Sequence, residues 1–324
     1  MNLAHLPFAW MSPGGPRGKL SILIFHRVLP AQDPLFPGEV DRARFGRICS
    51  WLREWFNVLP LEGAYERLVE GALPARALAI TFDDGYRDNA EIAMPVLQSH
   101  GLTATFFVAT GYLGDGCMWN DKIIEAVRHT RREHVDTADL MAGDNERLSL
   151  SSVEARRAAI ANLLRRAKYL APTERARVAD AAVRQLAVET PRDLMMQASQ
   201  VRDLRAGGMD VGAHTVSHPI LARCERSQAL TELRDSKTTL EGLLQEPVRT
   251  LAYPNGVPGD DVSEREPLLA REAGYRLAVT TRWGYTTAAS DPYMLPRFSP
   301  WDRGRWRYGL RLLRNLGGSP LAPA

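Results

Sequence analysis

The stretch Ala77-Leu78-Ala79-Ile80-Thr81-Phe82-Asp83-Asp84-Gly85 is the part of the sequence that decides the fold class. Its first six residues are apolar or β-branched, and two carboxylates and a glycine follow at once. This pattern predicts a buried strand, residues 77–82, that ends in a polar loop. Five further runs of the same kind predict strands at 20–25, 103–109, 209–213, 249–253 and 276–281.

Amphipathic stretches separate these runs, and they predict helices at 44–56, 63–70, 89–99, 227–244 and 263–273. Gly101 and Gly274 are the expected stops of two of these helices. Strands that alternate with helices and are apolar almost throughout indicate a parallel sheet covered by helices. Because polar residues repeatedly follow the strand ends, the favoured α/β architecture is a closed barrel rather than an open sheet.

Residues 115–200 interrupt this alternation. They contain helical patterns at 121–134, 152–170 and 173–188, with no strand predicted between them, and Ser151 and Glu154 have the spacing of a capping box for the second. We interpret the segment as a helical insertion on one barrel loop, which serves either as packing decoration or as a lid over the substrate. The expected domains are a flexible N-terminus at 1–19, a barrel with its insertion at 20–300, and a basic C-terminal helix and tail at 301–324.

The composition excludes several classes of protein. With 324 residues and a formal net charge of +3, nothing global points to nucleic acid as a partner. Cys49, Cys117 and Cys224 are too far apart and odd in number for a disulfide framework or a cysteine-rich zinc site. No apolar run approaches the roughly 18 residues of a membrane span, and the N-terminus lacks the pattern of a signal peptide. We therefore expect a soluble, cytoplasmic protein.

The C-terminal segment is locally basic. Arginines at positions 303, 305, 307, 311 and 314 alternate with apolar residues, which predicts a basic amphipathic helix over 301–316. Such a helix either packs as an ordinary final helix with a solvated face or lies on an anionic membrane surface. The second interpretation predicts peripheral contact with the inner face of the membrane.

Two clusters of titratable residues follow predicted strands. Asp83 and Asp84 are costly to bury unless a cation or a donor meets them, although an Asp-Gly turn would need only one of them. His214 and His218 follow the strand at 209–213, where Gly212 and Pro219 favour a loop over a helix. Each histidine alone could be an ordinary core or surface residue. Two imidazoles and one carboxylate, however, are the open three-ligand set of catalytic zinc sites.

The sequence contains two weaker signals near other strand ends. The segment Ala252-Tyr253-Pro254-Asn255-Gly256 is by itself only a strand followed by a turn. His26 ends the first predicted strand, and in a barrel this strand end faces the same rim as the two clusters.

Taken in order, the motifs Thr81-Phe82-Asp83-Asp84-Gly85, His214-Thr215-Val216-Ser217-His218-Pro219 and Ala252-Tyr253-Pro254-Asn255-Gly256 resemble those of the polysaccharide deacetylase (NodB-homology) family. The resemblance covers residues 20–300 without the insertion. It implies a distorted (β/α) barrel, a divalent metal that is usually zinc, and hydrolysis of N-acetyl or, less often, O-acetyl groups on a poly-, oligo- or lipid-linked saccharide. It also implies that Asp83 is the base and that Asp84, His214 and His218 are the metal ligands.

The chain departs from the family pattern in two places. Many members have an arginine in the third motif, where this chain has Ala252, and a C-terminal Leu-x-x-His motif, where this chain has Leu295-Pro296-Arg297-Phe298. The pattern resembles a subgroup with rearranged motifs, which implies that His26 is the general acid and that Arg297 forms a fork to Asp83. The alternatives are that His26 is a hydrogen-bonded core histidine and that Arg297 forms a salt bridge at the rim.

The remaining assignments concern substrate contacts and rival functions. A backbone N–H near Asn255 is the expected donor to the oxyanion, and Tyr253 is an expected substrate contact. Aromatic residues that could stack on sugar rings are Tyr112, Trp119, Tyr253, Trp283 and Tyr285, although each could equally pack in the core. The rival functions are a catalytically silent glycan-binding protein on the same barrel and a related hydrolase of small amides.

Overall fold

The computed structural model describes residues 6–141, 143 and 145–318. The chain forms two compact units. The first contains the residues up to 31, 40–113 and those from 196 onward, and the second contains 32–39 and 114–195. Within the described residues, no helix combines the length and the apolar character that crossing a membrane requires.

The strands are short, and most of those in the first unit are buried. They are β1 (Leu20–Phe25), β2 (Val28–Leu29), β3 (Val40–Asp41), β4 (Asn57–Val58), β5 (Ala77–Phe82), β6 (Thr105–Val108), β7 (His134–Asp136), β8 (Arg147–Ser149), β9 (Asp210–Ala213), β10 (Thr250–Ala252) and β11 (Leu277–Val279). Each of the six predicted strands is present. β1 and β5 have the predicted bounds, and the other four are shorter than predicted.

The helices alternate with the strands of the first unit and make up most of the second. They are α1 (Leu6–Met11), α2 (Arg42–Trp55), α3 (Leu61–Val69), α4 (Met94–Ser99), α5 (Trp119–His129), α6 (Val153–Ala167), α7 (Pro172–Leu186), α8 (Ala198–Ala206), α9 (Arg226–Leu244), α10 (Arg265–Glu272) and α11 (Arg305–Gly317). The helix predicted at 89–99 begins with a π-helical segment, Asn89–Ala93, before α4.

The main sheet is parallel, with the strand order β1-β5-β6-β9-β10-β11 and with β4 added beside the start of β5. Residues 295–298 connect its two edges. Leu295 N donates to Ala278 O on β11, whereas Phe298 N donates to Ile22 O on β1. The curled sheet therefore closes through an extended segment that carries Arg297. This architecture confirms the predicted barrel.

Side-chain alternation along β5 separates the two faces of this barrel. Phe82 stacks between Phe25 and Phe106 on the neighbouring strands, at centroid distances of 5.4 and 4.8 Å, and Phe45 of α2 packs on its edge. Phe82 therefore points outward to the helix layer. Since successive residues of a strand point to opposite faces, Thr81 and Asp83 point inward.

The N-terminal segment differs from the prediction of a flexible region. Residues 6–11 form α1, in which Phe8 is buried and stacks on Trp55 at 5.2 Å. Lys19, near the end of the segment, donates from Nζ to Leu316 O. The prediction was wrong for residues 6–19 because glycines and prolines at 13–16 were interpreted as a loose chain, whereas they connect two packed elements. His5 lies outside the described residues.

The second unit has its own apolar core, built by α5, α6 and α7 around Ile123, Val127, Leu163 and Val178. Residues 32–39 belong to this unit, where Asp33 pairs with Arg128 of α5 at 2.7 Å. No sequence pattern at 32–39 predicted that association.

Two predictions about the second unit are wrong. β7 and β8 pair as antiparallel strands between α5 and α6, where no strand was predicted, because three residues are too short to show a periodicity. The helix cap is also shifted by one residue. Ser152, rather than Ser151, accepts the hydrogen bond from Ala155 N, while Ser151 N donates to Ser149 Oγ.

Candidate active site

The residues implicated by the three motifs meet at the carboxyl ends of the barrel strands. His26 follows β1, Asp83 and Asp84 follow β5, His214 follows β9, and Asn255 lies three residues beyond β10. In a barrel of parallel strands these ends share one rim, so residues that are far apart in sequence become neighbours.

Asp83 and Arg297 form an ion pair in the barrel interior. The guanidinium Nη1 and Nη2 each lie 2.6 Å from one carboxylate oxygen of Asp83, which is the fork geometry expected from the sequence. Arg297 is 0% exposed and Asp83 is 2% exposed. Arg297 also donates to Thr81 Oγ1 at 3.2 Å and to Thr280 O at 3.0 Å. Because both side chains are buried, this pair is not a salt bridge at the rim, which was the alternative interpretation of Arg297.

The ion pair determines the ionisation of Asp83. Burial alone would raise the pKa of this carboxyl, but the charges of Arg297 and His214, together with the Arg297 hydrogen bond, hold the pKa below its usual value. Asp83 is therefore an ionised carboxylate with a fixed orientation, and its Oδ2 lies 4.0 Å from His214 Nε2.

Asp84 breaks the strand alternation and turns away from Asp83. Its φ of 76° is in the left-handed region, as is that of Gly85 at 85°. A Cβ at position 85 would also lie 3.1 Å from Val108 Cγ1, so this turn requires glycine. The consequence is that Asp84 Oδ1 lies 3.4 Å from both His214 Nε2 and His218 Nε2.

The donor atoms of Asp84, His214 and His218 suit a tetrahedral metal ion. All of them lie within 4.8 Å of one another. Two ligands bound to zinc at about 2.0–2.1 Å with tetrahedral angles are separated by about 3.3 Å, close to the two carboxylate–imidazole distances. His214 Nδ1 lies 2.7 Å from Ala252 O, so it carries the proton and leaves Nε2 to face the site. The three residues therefore fit the group that the family resemblance implies.

The loop that carries the two histidines is held from both sides. The Glu232 carboxylate on α9 accepts hydrogen bonds from the N–H groups of Val216 and Ser217, both at 2.8 Å, and from Ser217 Oγ. On the other side, Gly111 N donates to Val216 O at 2.9 Å. A Cβ on Gly111 would lie 2.7 Å from that oxygen. These contacts stabilise a loop in which His218 has a φ of 52°.

His26 lies at the rim with its side chain exposed. It follows β1, which pairs with β5, and Asp83 N donates to Phe25 O at 2.9 Å, so His26 lies beside the strand end that carries the two aspartates. Its backbone carbonyl accepts a hydrogen bond from Asn89 Nδ2 at 2.9 Å. Because its side chain is exposed, His26 is not a hydrogen-bonded core histidine, which was the alternative interpretation of this residue.

Asn255 and Tyr253 have different surroundings. Asn255 is in the left-handed region with a φ of 59°, and in the described part of the chain its N–H has no acceptor. It is therefore available as a donor. Tyr253 is buried in the core, and its N–H donates to Val279 O at 3.2 Å. The expectation that Tyr253 contacts substrate is wrong, because neither its ring nor its N–H is accessible.

The other aromatic candidates also divide by exposure. Tyr285 is buried beneath Lys19, so it cannot stack on a sugar. Trp283 is 45% exposed and lies 5.3 Å from the ring of Trp301. Tyr112 is half-buried and donates to Ser217 O at 3.0 Å, which ties it to the histidine loop. Trp119 is half-buried in the second unit.

Several residues that hold the site in place have no distinguishing pattern in the sequence. Glu232 was missed because nothing in an amphipathic helix distinguishes one glutamate from the others. Asp88 was also missed, although it lies only four residues after Asp84. Its carboxylate accepts from Arg27 Nε at 2.8 Å and from Val28 N at 3.1 Å, immediately after His26.

Comparisons with known proteins agree with the motifs. The sequence model of one family, described as polysaccharide deacetylase, matches residues 70–278. The curated protein YxkH of Bacillus subtilis (strain 168) is 21% identical over 291 residues, which cover 89% of this chain and 74% of that protein.

Solved structures show the same fold. The Streptococcus pyogenes deacetylase PplD, solved in complex with acetate, matches with a TM-score of 0.60 and 20% identity over 93% of this chain and 99% of that one. IcaB from Ammonifex degensii matches with a TM-score of 0.58 and 18% identity over 92% of this chain and 98% of that one.

Proposed function

Because this chain belongs to the polysaccharide deacetylase family, we propose that it removes N-acetyl groups from a poly-, oligo- or lipid-linked saccharide with a divalent metal ion, zinc, as cofactor. As a family member it is a hydrolase of carbon–nitrogen bonds other than peptide bonds. O-acetyl groups are the alternative target. The observation that carries the proposal is the three-ligand cluster of Asp84, His214 and His218 beside the buried Asp83–Arg297 pair.

The metal would be held by Asp84, His214 and His218. A divalent cation in such a site supplies Lewis-acid polarisation of the acetyl carbonyl. The three residues offer two imidazole nitrogens and one carboxylate oxygen and leave one tetrahedral position open. An open position is what distinguishes a catalytic site from a structural one.

Asp83 acts as the general base in this proposal. It accepts the proton of the water that attacks the acetyl carbon. Arg297 occupies both carboxylate oxygens through its fork, so it fixes the orientation of Asp83 and keeps the carboxyl ionised. The tetrahedral oxyanion receives a hydrogen bond from the N–H of Asn255, which no acceptor within the described residues occupies.

His26 acts as the general acid. An amine leaves poorly unless it is protonated, so the reaction needs a donor on the side of the leaving group. His26 is exposed at the rim and follows the strand that pairs with β5, beside the strand end that carries both aspartates, which suits transfer of a proton to a bulky sugar amine. Asn89 and Asp88 hold the backbone around it through the carbonyl of His26 and the N–H of Val28.

Acetate release from N-acetylglucosamine oligosaccharides tests the proposal. The wild-type protein with zinc should release acetate, a chelator should abolish the release, and added zinc should restore it. Asp83→Asn should lose activity but keep zinc, whereas Asp84→Asn should lose both. Asp235→Asn is the matched control, because Asp235 is an exposed carboxylate on α9.

The same experiment separates the rival functions. Oligosaccharide binding without acetate release would indicate a silent glycan-binding protein and overturn the proposal. Hydrolysis of small amides without activity on oligosaccharides would overturn the assigned substrate class. Wild-type rates in Asp83→Asn would contradict the mechanism.

A further inference from the structure

The last helix, α11, has two apolar faces. Tyr308, Leu312 and Leu316 recur at intervals of four residues and are buried against the barrel. Trp306 and Leu310 share another face of the helix, because they too are four residues apart, and they are 72% and 57% exposed. The usual solvated face of a final helix is polar, so packing among the residues that the structure describes does not account for this second apolar face.

The short helix α1 extends the exposed face of α11. A Cβ on Gly309 would lie 3.5 Å from Phe8 Cζ, and one on Gly317 would lie 3.0 Å from Met11 Cε, so the two helices are in close contact. Gly317 follows Leu310 by seven residues and lies on the same face of α11. Trp10, between the two contact residues of α1, is 83% exposed. The outer sides of the two helices therefore adjoin.

The chain around these apolar side chains is basic. Residues 6–19 and 301–318 contain seven basic residues and one acidic residue, whereas the net charge of the whole chain is only +3. The rest of the protein is thus net negative, and most of the positive charge of these two segments is on α11. Arg307 and Arg314 of α11 are exposed.

We propose that this surface, formed by Trp10 on α1 and by Trp306, Leu310, Arg307 and Arg314 on α11, binds an anionic lipid bilayer. Tryptophan side chains favour the boundary between headgroups and acyl chains, and arginines beside them attract anionic headgroups. A helix that exposes both kinds of side chain lies in the plane of the membrane surface. The match between the local positive charge and an anionic surface selects lipid as the occupant rather than a second copy of a chain with the same charge.

Vesicle sedimentation of the intact chain tests this proposal without any substrate. The protein should bind phosphatidylcholine vesicles that contain about 30 mol% phosphatidylglycerol and should bind pure phosphatidylcholine much more weakly. Raising the salt concentration from about 0.1 to about 0.5 M should weaken the binding. Failure to bind the anionic vesicles at the lower salt concentration would overturn the proposal, whatever the outcome of the acetate-release assay.

Variants separate the apolar and the ionic contributions. Trp10→Ser/Trp306→Ser/Leu310→Ser should weaken vesicle binding by at least about tenfold, because these side chains would enter the headgroup region. Arg307→Gln/Arg314→Gln should weaken it by about 25-fold, at about fivefold for each arginine. Leu268→Ser is the control for the first variant, since Leu268 is 67% exposed on α10.

The controls decide the interpretation. Arg202→Gln on α8 is the control for charge, because Arg202 is also an exposed arginine on a helix. Circular dichroism melting checks that each variant is folded. Wild-type binding by the folded apolar variant would overturn the proposal. A dimer that dissociates in that variant would also overturn it, because the face would then be covered by a second copy.

Discussion

Replacement of Arg297 by methionine would leave Asp83 as an unpaired charge in the barrel interior. Both side chains are almost fully buried, at 0% and 2% exposure, and the guanidinium supplies two charge-assisted hydrogen bonds of 2.6 Å. Removing one partner of such a pair destabilises a protein by about 3–5 kcal/mol. At about 2–4 °C per kcal/mol for a domain of this size, we expect Arg297→Met to lower the melting temperature by about 6–20 °C.

Differential scanning calorimetry and a double-mutant cycle measure this effect. Asp83→Asn/Arg297→Met removes both charges, so it should be less destabilised than the sum of the single variants, by on the order of 2 kcal/mol. The matched control is Arg226→Met, which breaks an exposed pair with Glu272 and should cost less than about 1 kcal/mol.

We expect the stability losses to be non-additive at the buried Asp83–Arg297 pair and small at the exposed Arg226–Glu272 pair. Equal losses in Arg297→Met and Arg226→Met would refute it, because burial would then not determine the cost. Strict additivity in the cycle would also refute it, because Asp83 and Arg297 would be contributing independently. Arg297→Lys should fall between the wild type and Arg297→Met, since it keeps the charge but loses the fork.

Three further predictions concern the support of the site. Glu232→Gln should weaken zinc binding by about 10–100-fold, because it loosens the loop between the two histidine ligands. A competition assay with a chromophoric chelator measures the affinity for zinc. The control variant Asp235→Asn should leave that affinity unchanged. His26→Gln should lower kcat on N-acetyl substrates by about 10²–10⁴-fold at unchanged zinc content, and a smaller loss on an activated O-acetyl ester would identify the acid role. Gly111→Ala should lower the melting temperature by an amount equivalent to about 1–3 kcal/mol, because its Cβ would clash with the backbone oxygen of Val216; an unchanged melting curve would contradict that contact.

The sequence predicted the barrel well because the central strands are physically simple. β1 and β5 are buried on both faces, so they appear as continuous apolar runs bounded by polar residues. The other four predicted strands were placed correctly but were too long. The residues at their ends, such as Arg249, Arg276 and Thr281, lie outside the strand bounds, and composition alone does not record where a ladder ends.

The features that the sequence did not predict depend on contacts between distant segments. β7 and β8 are each three residues long and exist only because they pair with each other. Residues 32–39 belong with the second unit through an ion pair between Asp33 and Arg128, which are 95 positions apart. α1 appeared to be loose chain because its only buried side chain, Phe8, finds its partner at Trp55. No local pattern distinguishes such segments from loops.

The position of Arg297 shows how the barrel closure and the site depend on each other. One apolar cluster of the barrel contains Ala77, Ala79 and Ala252, and these small residues leave room in the barrel interior. The guanidinium of Arg297 occupies that interior and lies 5.7 Å from the ring centre of Phe107, a member of the same cluster. The extended segment that links β11 to β1 therefore both closes the barrel and supplies the partner of Asp83.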